Sequence, residues 1–368
     1  MIELDGAYLE GGGALVRVAL ALSTITGQPF KVTNIRAGRP KPGLKAQHLT
    51  SINTLKELCD AKTSEVKLGT TEFWYHPKTI KKGKFEVDIG TAGSISLLLQ
   101  ALMLPSLFAP GKVTLTIKGG TCGKWQASVD YLQNILLPYL NRFVDSIEMK
   151  ILKRGYYPKG GGEILLEIRP RFHIKEFENF NLFMEELQFK TPPVTLIEQG
   201  KLEQIRGVIN VSLELQEKEV GDRIKRMMES VLKTYEVPIN IRDEYVNARS
   251  IGGETVVWAL FSKEGQMDYD NPIILGASAL IEPGRSSEEI GKEAANKLKE
   301  HINSETAVEE HLADQLIQFM GLRLDSKIKV EEITNHTKTN IYVAEKFLPI
   351  GFKVEKNMIS VESSSESH

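Results

Sequence analysis

The strongest constraint on this 368-residue chain is a rhythm that returns along it: a short β-type segment, a glycine-rich turn, then a helix with almost no polar side. Glu10-Gly11-Gly12-Gly13 leads into Ala14, Leu15, Val16, Val18, Ala19, Leu20, Ala21 and Leu22, with Arg17 the lone charge. A helix apolar nearly all round has to be buried. Gly90-Thr91-Ala92-Gly93 leads into a second such helix over 94–104. Val113, Leu115 and Ile117 alternate as in a strand before Lys118-Gly119-Gly120-Thr121. Residues 1–169 therefore read as two related α+β units, with a third completed by the C-terminal part. The repeat rests on rhythm and turns, not on residue identity.

Near residue 182 the texture changes. Mixed sequence with Pro192-Pro193 gives way to a strand, a charged helix over 217–235 and two more strands. The expected fold is α+β: repeated βαβ-type units in a main domain of residues 1–182 and 276–368, with a small inserted βαββ domain at 183–275. Ser286 and Glu289, three apart, predict a reciprocal helix cap where the main domain resumes.

The stretch richest in glycine is Arg154-Gly-Tyr-Tyr-Pro-Lys-Gly-Gly-Gly-Glu-Ile164. Consecutive glycines cost backbone entropy but let the backbone approach a ligand or another strand. Arg154 and Lys159 flank them, and a cationic glycine turn suits a phosphate; tight strand turns are the structural alternative. A second cationic run is Arg36-Ala-Gly-Arg39-Pro-Lys41-Pro-Gly-Leu-Lys45-Ala-Gln47-His48, with four cations in ten residues and two stiffening prolines. Arginine forks bind phosphate oxygens bidentately, and a rigid loop loses less entropy on binding.

Two C-terminal segments carry the best polar clusters. In Glu310-His311-Leu-Ala-Asp314-Gln315, helical spacing sets His311 over Asp314 and Gln315. In Asn335-His336-Thr-Lys-Thr339-Asn340, between a strand and a helix, the histidine is open to three readings: nucleophile, metal ligand or surface residue. No second histidine stands at metal spacing, which argues against zinc. Trp125, in a loop after a glycine turn, is open between a structural residue and one that stacks on a base.

Bulk properties narrow the field. A net charge of −2 excludes a global basic field, so a nucleic-acid partner needs a local patch. Two cysteines, Cys59 and Cys122, do not make a disulfide framework and suit a reducing compartment. No apolar run reaches membrane-span length and no signal-peptide pattern opens the chain. The expectation is a soluble, cytoplasmic protein with no membrane partner; homodimerisation is left open.

These motifs, in order, resemble the RNA 3′-terminal phosphate cyclase family. They are Leu4-Asp5-Gly6 with Glu10 to Gly13 and Arg17, then Arg36 to Gly43 with Gln47-His48. Arg154 to Ile164, His311-Leu-Ala-Asp314-Gln315 and His336-x-x-Thr339-Asn340 complete the set. The resemblance covers nearly the whole chain. It implies ATP-dependent conversion of an RNA 3′-phosphate to a 2′,3′-cyclic phosphate, with His336 taking AMP. By the same resemblance Arg17, Arg36, Arg39 and Gln47 are active-site and phosphate-binding residues. Gln100, His311, Asp314 and Gln315 fall on the ATP site, and Glu10 on a divalent metal, magnesium or manganese. The implied partners are ATP and RNA 3′ ends. One departure stands out: where many relatives carry prolines before an aspartate, this chain reads Cys122-Gly-Lys-Trp-Gln-Ala-Ser-Val-Asp130-Tyr131. A non-catalytic cyclase-like ribosome-assembly protein would lack the histidine present at 336. An enolpyruvate-transfer enzyme would share the repeated units but not the histidine and arginine motifs.

Overall fold

The structure is a computed structural model that describes residues 1–9 and 12–364. The first unit runs β1 (Ile2–Asp5), α1 (Ala14–Thr26), β2 (Phe30–Thr33), α2 (Ala46–Cys59), β3 (Lys62–Thr63) and β4 (Phe73–His76). Its sheet order is β1-β2-β4-β3, with β1 parallel to β2 and the other pairs antiparallel. A parallel pair needs a crossover, and α1 supplies it.

The second unit repeats this plan. It runs β5 (Gly83–Asp88), α3 (Ile95–Leu107), β6 (Val113–Gly119), α4 (Val129–Tyr131), a π turn (Leu132–Leu136), α5 (Leu137–Leu140), β7 (Val144–Lys153) and β8 (Gly162–Pro170). The order is β5-β6-β8-β7, parallel for the first pair and antiparallel for the rest. The helical stretch before β7 is thus broken, with Pro138 in the first turn of α5. Proline lacks the N–H an unbroken α-helix would use there.

After α6 (Phe180–Lys190) the third unit opens with β9 (Thr195–Leu196). The chain then leaves for a different sheet: β10 (Lys201–Ser212), α7 (Val220–Leu232), β11 (Ile239–Val246), β12 (Gly253–Ser262), β13 (Ile273–Ile281) and α8 (Ser287–Asn303). It returns through α9 (Glu310–Met320), β14 (Lys327–Lys329), α10 (Asn335–Phe347), β15 (Ile350–Glu355) and β16 (Met358–Ser363). The third unit's order, β9-β14-β16-β15, has the same parallel and antiparallel pairs as the first two. The inserted sheet runs β11-β10-β12-β13. β13 pairs with β12 over its full length, from Ile273 to Ile281, so this sheet continues past the expected boundary at 275. The apolar run of β13 fits either sheet by sequence; its antiparallel partner decides.

The three units meet on helices. α1 is buried from Ala14 to Ile25, Arg17 included, and packs against α3 and α10. Gln28 Nε2 donates to the Phe347 carbonyl (3.0 Å), and Tyr8 stacks on Tyr342 with centroids 4.1 Å apart. The expected cap forms at α8: Ser286 Oγ accepts from Glu289 N–H, and Glu289 accepts from Ser286 N–H. Among the described residues no helix is long and apolar enough to cross a membrane.

Candidate active site

One cleft of about 780 Å³ opens where the units and the inserted sheet converge. Its wall takes Gly13 and Arg17 from the start of α1, and Arg36, Arg39, Lys45, Gln47 and His48 from the cationic loop and α2. The turn at 92–94 with Leu97 of α3, the loop at 122–126 and residues 251–253 leading into β12 contribute, with the end of β13, and His336 comes from α10. Chain positions 17, 36, 39, 47 and 336, expected to share a site, line one cavity.

Each cation is set by local structure. Arg17 is buried, and its Nε–H donates to Gln100 Oε1 on α3 at 2.7 Å. Gln100 therefore orients a cleft arginine from behind. Arg36 has φ of 56°, a left-handed backbone that non-glycine residues adopt at a cost of order 1 kcal/mol. Its Nη1 donates to the Lys41 carbonyl at 2.8 Å and the Gly43 carbonyl at 3.3 Å. The proline-stiffened loop thus folds back on its own guanidinium. Burial and the neighbouring Arg39 lower the pKa of Arg36.

His48 is a cleft residue the sequence reading left without a role. The ring is buried, and its Nδ1 accepts from the Lys45 N–H at the start of α2 (3.0 Å). Burial, then Arg17, Arg36 and Lys45, push its pKa down to about 3. The ring is therefore neutral, with its proton on Nε2, which has no hydrogen-bond partner among the described residues. Gly13 makes room for it: a Cβ there would lie 2.3 Å from His48 Nε2 and 2.8 Å from Arg17 Nη1. The spacing of a histidine three residues into a helix after a lysine was the available signal.

His336 occupies the first turn of α10, which begins at Asn335, so the histidine lies within a helix and not between a strand and a helix as expected. The reason is a cap. Thr334 Oγ1 accepts from the Thr337 N–H (3.0 Å), and both hydroxyls donate to Asp314 Oδ1, at 2.6 and 2.5 Å. The Asp314 carbonyl takes a further bond from Asn340 Nδ2 (2.7 Å). Asp314 thus lies beneath the helix that carries His336. Burial raises its pKa, against the pull of the two hydroxyls and of His336 and His311. Gln315 is buried and donates to the His311 carbonyl (3.1 Å), while the His311 side chain is exposed. Gln100, His311, Asp314 and Gln315 do not line the cleft wall, although Gln100 and Asp314 hold residues that do. Glu10 lies outside the described residues.

The glycine-rich signature does structural work. Arg154 is buried and pairs with Asp130 beside the cleft loop and with Glu244 on β11. Burial opposes its charge, but the two carboxylates more than offset this and raise its pKa. Arg154 is therefore a joint between the second unit and the inserted sheet. Gly155 sits where a Cβ would lie 2.1 Å from the Gly162 backbone nitrogen. The next two residues, Tyr156 and Tyr157, line the cleft.

Among the described residues one cluster has metal-ligand spacing: His301, Glu309 and Glu310. It is occupied from within. His301 Nδ1 bonds Glu331, Lys297 pairs with Glu310 at 3.0 Å, and Tyr131 donates to Glu309. Cys59 and Cys122 are free and buried.

Comparison with known proteins places the chain beside one family. A family model described as RNA 3′-terminal phosphate cyclase matches residues 8–354. An RNA 3′-terminal phosphate cyclase of Methanosarcina barkeri is 39% identical over 361 residues, 97% of both chains. That of Pyrococcus furiosus is 39% identical over 355 residues, 96% of this chain and 95% of its own. That of Archaeoglobus fulgidus is 36% identical over 363 residues, 98% of this chain and 100% of its own.

Proposed function

The chain belongs to the RNA 3′-terminal phosphate cyclase family, and on that footing we propose that it converts an RNA 3′-phosphate to a 2′,3′-cyclic phosphate at the expense of ATP. One observation carries this reading: His336 shares a cleft with Arg17, Arg36, Arg39 and Gln47. A nucleophile-type side chain beside three guanidinium groups is suited to phosphoryl chemistry.

A phosphomonoester does not cyclise unaided, because its leaving group would be hydroxide. Adenylylation supplies a better one. A ring nitrogen of His336 attacks the α-phosphorus of ATP, and pyrophosphate departs with the electron pair of the broken P–O bond, leaving a phosphoramidate. An oxygen of the RNA 3′-phosphate then attacks that phosphorus, freeing the imidazole and giving an RNA adenylate. Finally the 2′-hydroxyl attacks the 3′-phosphorus and AMP leaves. That last attack is intramolecular, equivalent to a reagent at roughly 10⁵ M or more.

The protein's part is largely electrostatic. Arg17, Arg36 and Arg39 face the charge that builds on the phosphoryl oxygens. The N-terminus of α10, where His336 stands, favours an anion through its aligned N–H groups. The Nε2–H of His48 is a neutral donor in the same wall. We assign Gln100 and Asp314 to positioning Arg17 and His336, and His311 and Gln315 to the nucleotide end. A divalent metal, magnesium or manganese, would be held by Glu10 and would supply further charge neutralisation. The two free cysteines suit a reducing, cytoplasmic setting.

The test is direct. Incubation with ATP labelled at the α-phosphate should yield acid-labile protein-bound AMP, and His336→Ala should abolish it. Undiminished labelling of the variant would end the assignment.

A further inference from the structure

Two large aromatic side chains at the cleft are not used by the fold. Trp125 is 95% exposed and Tyr157 80% exposed, and both line the cavity that contains His336. Ile251, 57% exposed, lines it too. They come from three separate segments: the loop after β6, the loop between β7 and β8, and the loop before β12. Burying a large apolar side chain is favourable, and the fold forgoes this at each site. By contrast, Trp258 is buried.

Trp125 is not exposed because its loop is loose. Lys124 pairs with Glu282 at the end of β13 (3.0 Å). On the other side the Ala127 carbonyl accepts from Ser96 Oγ (2.5 Å). Gln126 Nε2 folds over Gly123 so closely that a Cβ there would lie 2.3 Å away. Between these anchors Trp125 has φ of 60°, a left-handed backbone that an indole-bearing residue rarely adopts. A solvent-exposed ring on a left-handed backbone, in an anchored loop that lines the cleft, marks a binding surface.

The charge inside the cleft identifies the occupant. Arg17, Arg36, Arg39 and Lys45 line the same cavity as the aromatic rings. Aromatic faces together with a cationic groove are the chemistry that holds single-stranded nucleic acid: bases stack and phosphates pair. Three apolar groups from three segments offer more face than one adenine needs, and stacking tolerates any base, as an enzyme acting on strand ends requires. We propose that Trp125 and Tyr157 form a stacking platform for the unpaired bases that precede the 3′-phosphate. This rests on the cyclase reading above and adds to it a subsite for RNA bases.

The test compares wild type with Trp125→Ala, Trp125→Phe and Tyr157→Ala. The probe is a short single-stranded RNA ending in a 3′-phosphate, read by anisotropy and by steady-state cyclisation. AMP labelling with ATP alone runs in parallel. Stacking contributes about 1–3 kcal/mol per base, so each alanine variant should raise Kd and KM for RNA by roughly 5-fold or more, with the labelling rate kept within about twofold. Trp125→Phe should recover most of the loss. Unchanged RNA binding in the alanine variants would overturn the platform. A loss of AMP labelling with RNA affinity intact would also overturn it, and would assign the indole to adenine. If wild type itself neither binds nor cyclises the RNA, the cyclase reading fails first, and that arm shows it without any variant.

Discussion

At position 48 a histidine is held neutral between cations, and this has a measurable consequence. Unfolded, the imidazole takes a proton near its ordinary value of about 6.5; folded, burial and Arg17, Arg36 and Lys45 lower that to about 3. Between those values the unfolded chain binds more protons, so stability rises with pH there and is lost on acidification, by about 1.4 kcal/mol per pH unit. Denaturant unfolding at pH 5 and pH 7 should therefore show His48→Asn losing about 2 kcal/mol less on acidification than wild type. Equal losses would show that the ring is not desolvated. Arg39 makes the complementary case. Arg39→Ala should cut turnover by about 10²–10³, the usual effect of removing one donor aimed at developing charge. Turnover within a few-fold of wild type would take Arg39 out of the site. The arginines were legible because a proline-stiffened cationic run is unusual in sequence. The state of His48 was not, because it depends on Gly13 and Arg17, which approach it only in the fold.

At the scale of elements, the join between α9 and α10 sets where His336 stands. Asp314 accepts both threonine hydroxyls of the α10 cap. Asp314→Ala removes the acceptor of both hydroxyls, leaving them only each other at 3.2 Å, and should lower stability by about 1–3 kcal/mol. It should also slow AMP labelling, since the first turn of α10 loses its support. Labelling at the wild-type rate in a destabilised variant would separate support from catalysis and contradict this account of Asp314. The elements with strong periodicity were readable. α1, expected from its apolar run after the glycine turn, spans Ala14–Thr26, and the helix expected over 94–104 spans Ile95–Leu107. The start of α10 was not readable, because Asn335 to Asn340 is polar and carries no apolar stripe; its helix is fixed by a threonine cap and a carboxylate on another helix. Likewise β13 could not be assigned to a sheet by its own residues, since only pairing with β12 decides it.

At the scale of the molecule, the cleft exists because three repeated units and an inserted sheet are locked together. Arg154 is the buried lock between the second unit and the insert, held by Asp130 and Glu244. Removing one partner of a buried ion pair strands the others, so Arg154→Ala should cost about 3–5 kcal/mol. A loss below about 1 kcal/mol in denaturant unfolding would mean that the joint is not structural. The repeat was legible as rhythm, but the meeting of residues 17, 36, 39, 47 and 336 was not, because contacts across hundreds of residues leave no local pattern. Resemblance to a family bridged that gap, and the cleft gives it a physical form. Peptide mass spectrometry of the protein after incubation with ATP, under conditions where RNA 3′-phosphate is being cyclised, tests the role of His336 most directly. One adenylylated peptide is expected, with the AMP on His336. Cyclisation proceeding with no adenylylated His336 peptide would contradict that role.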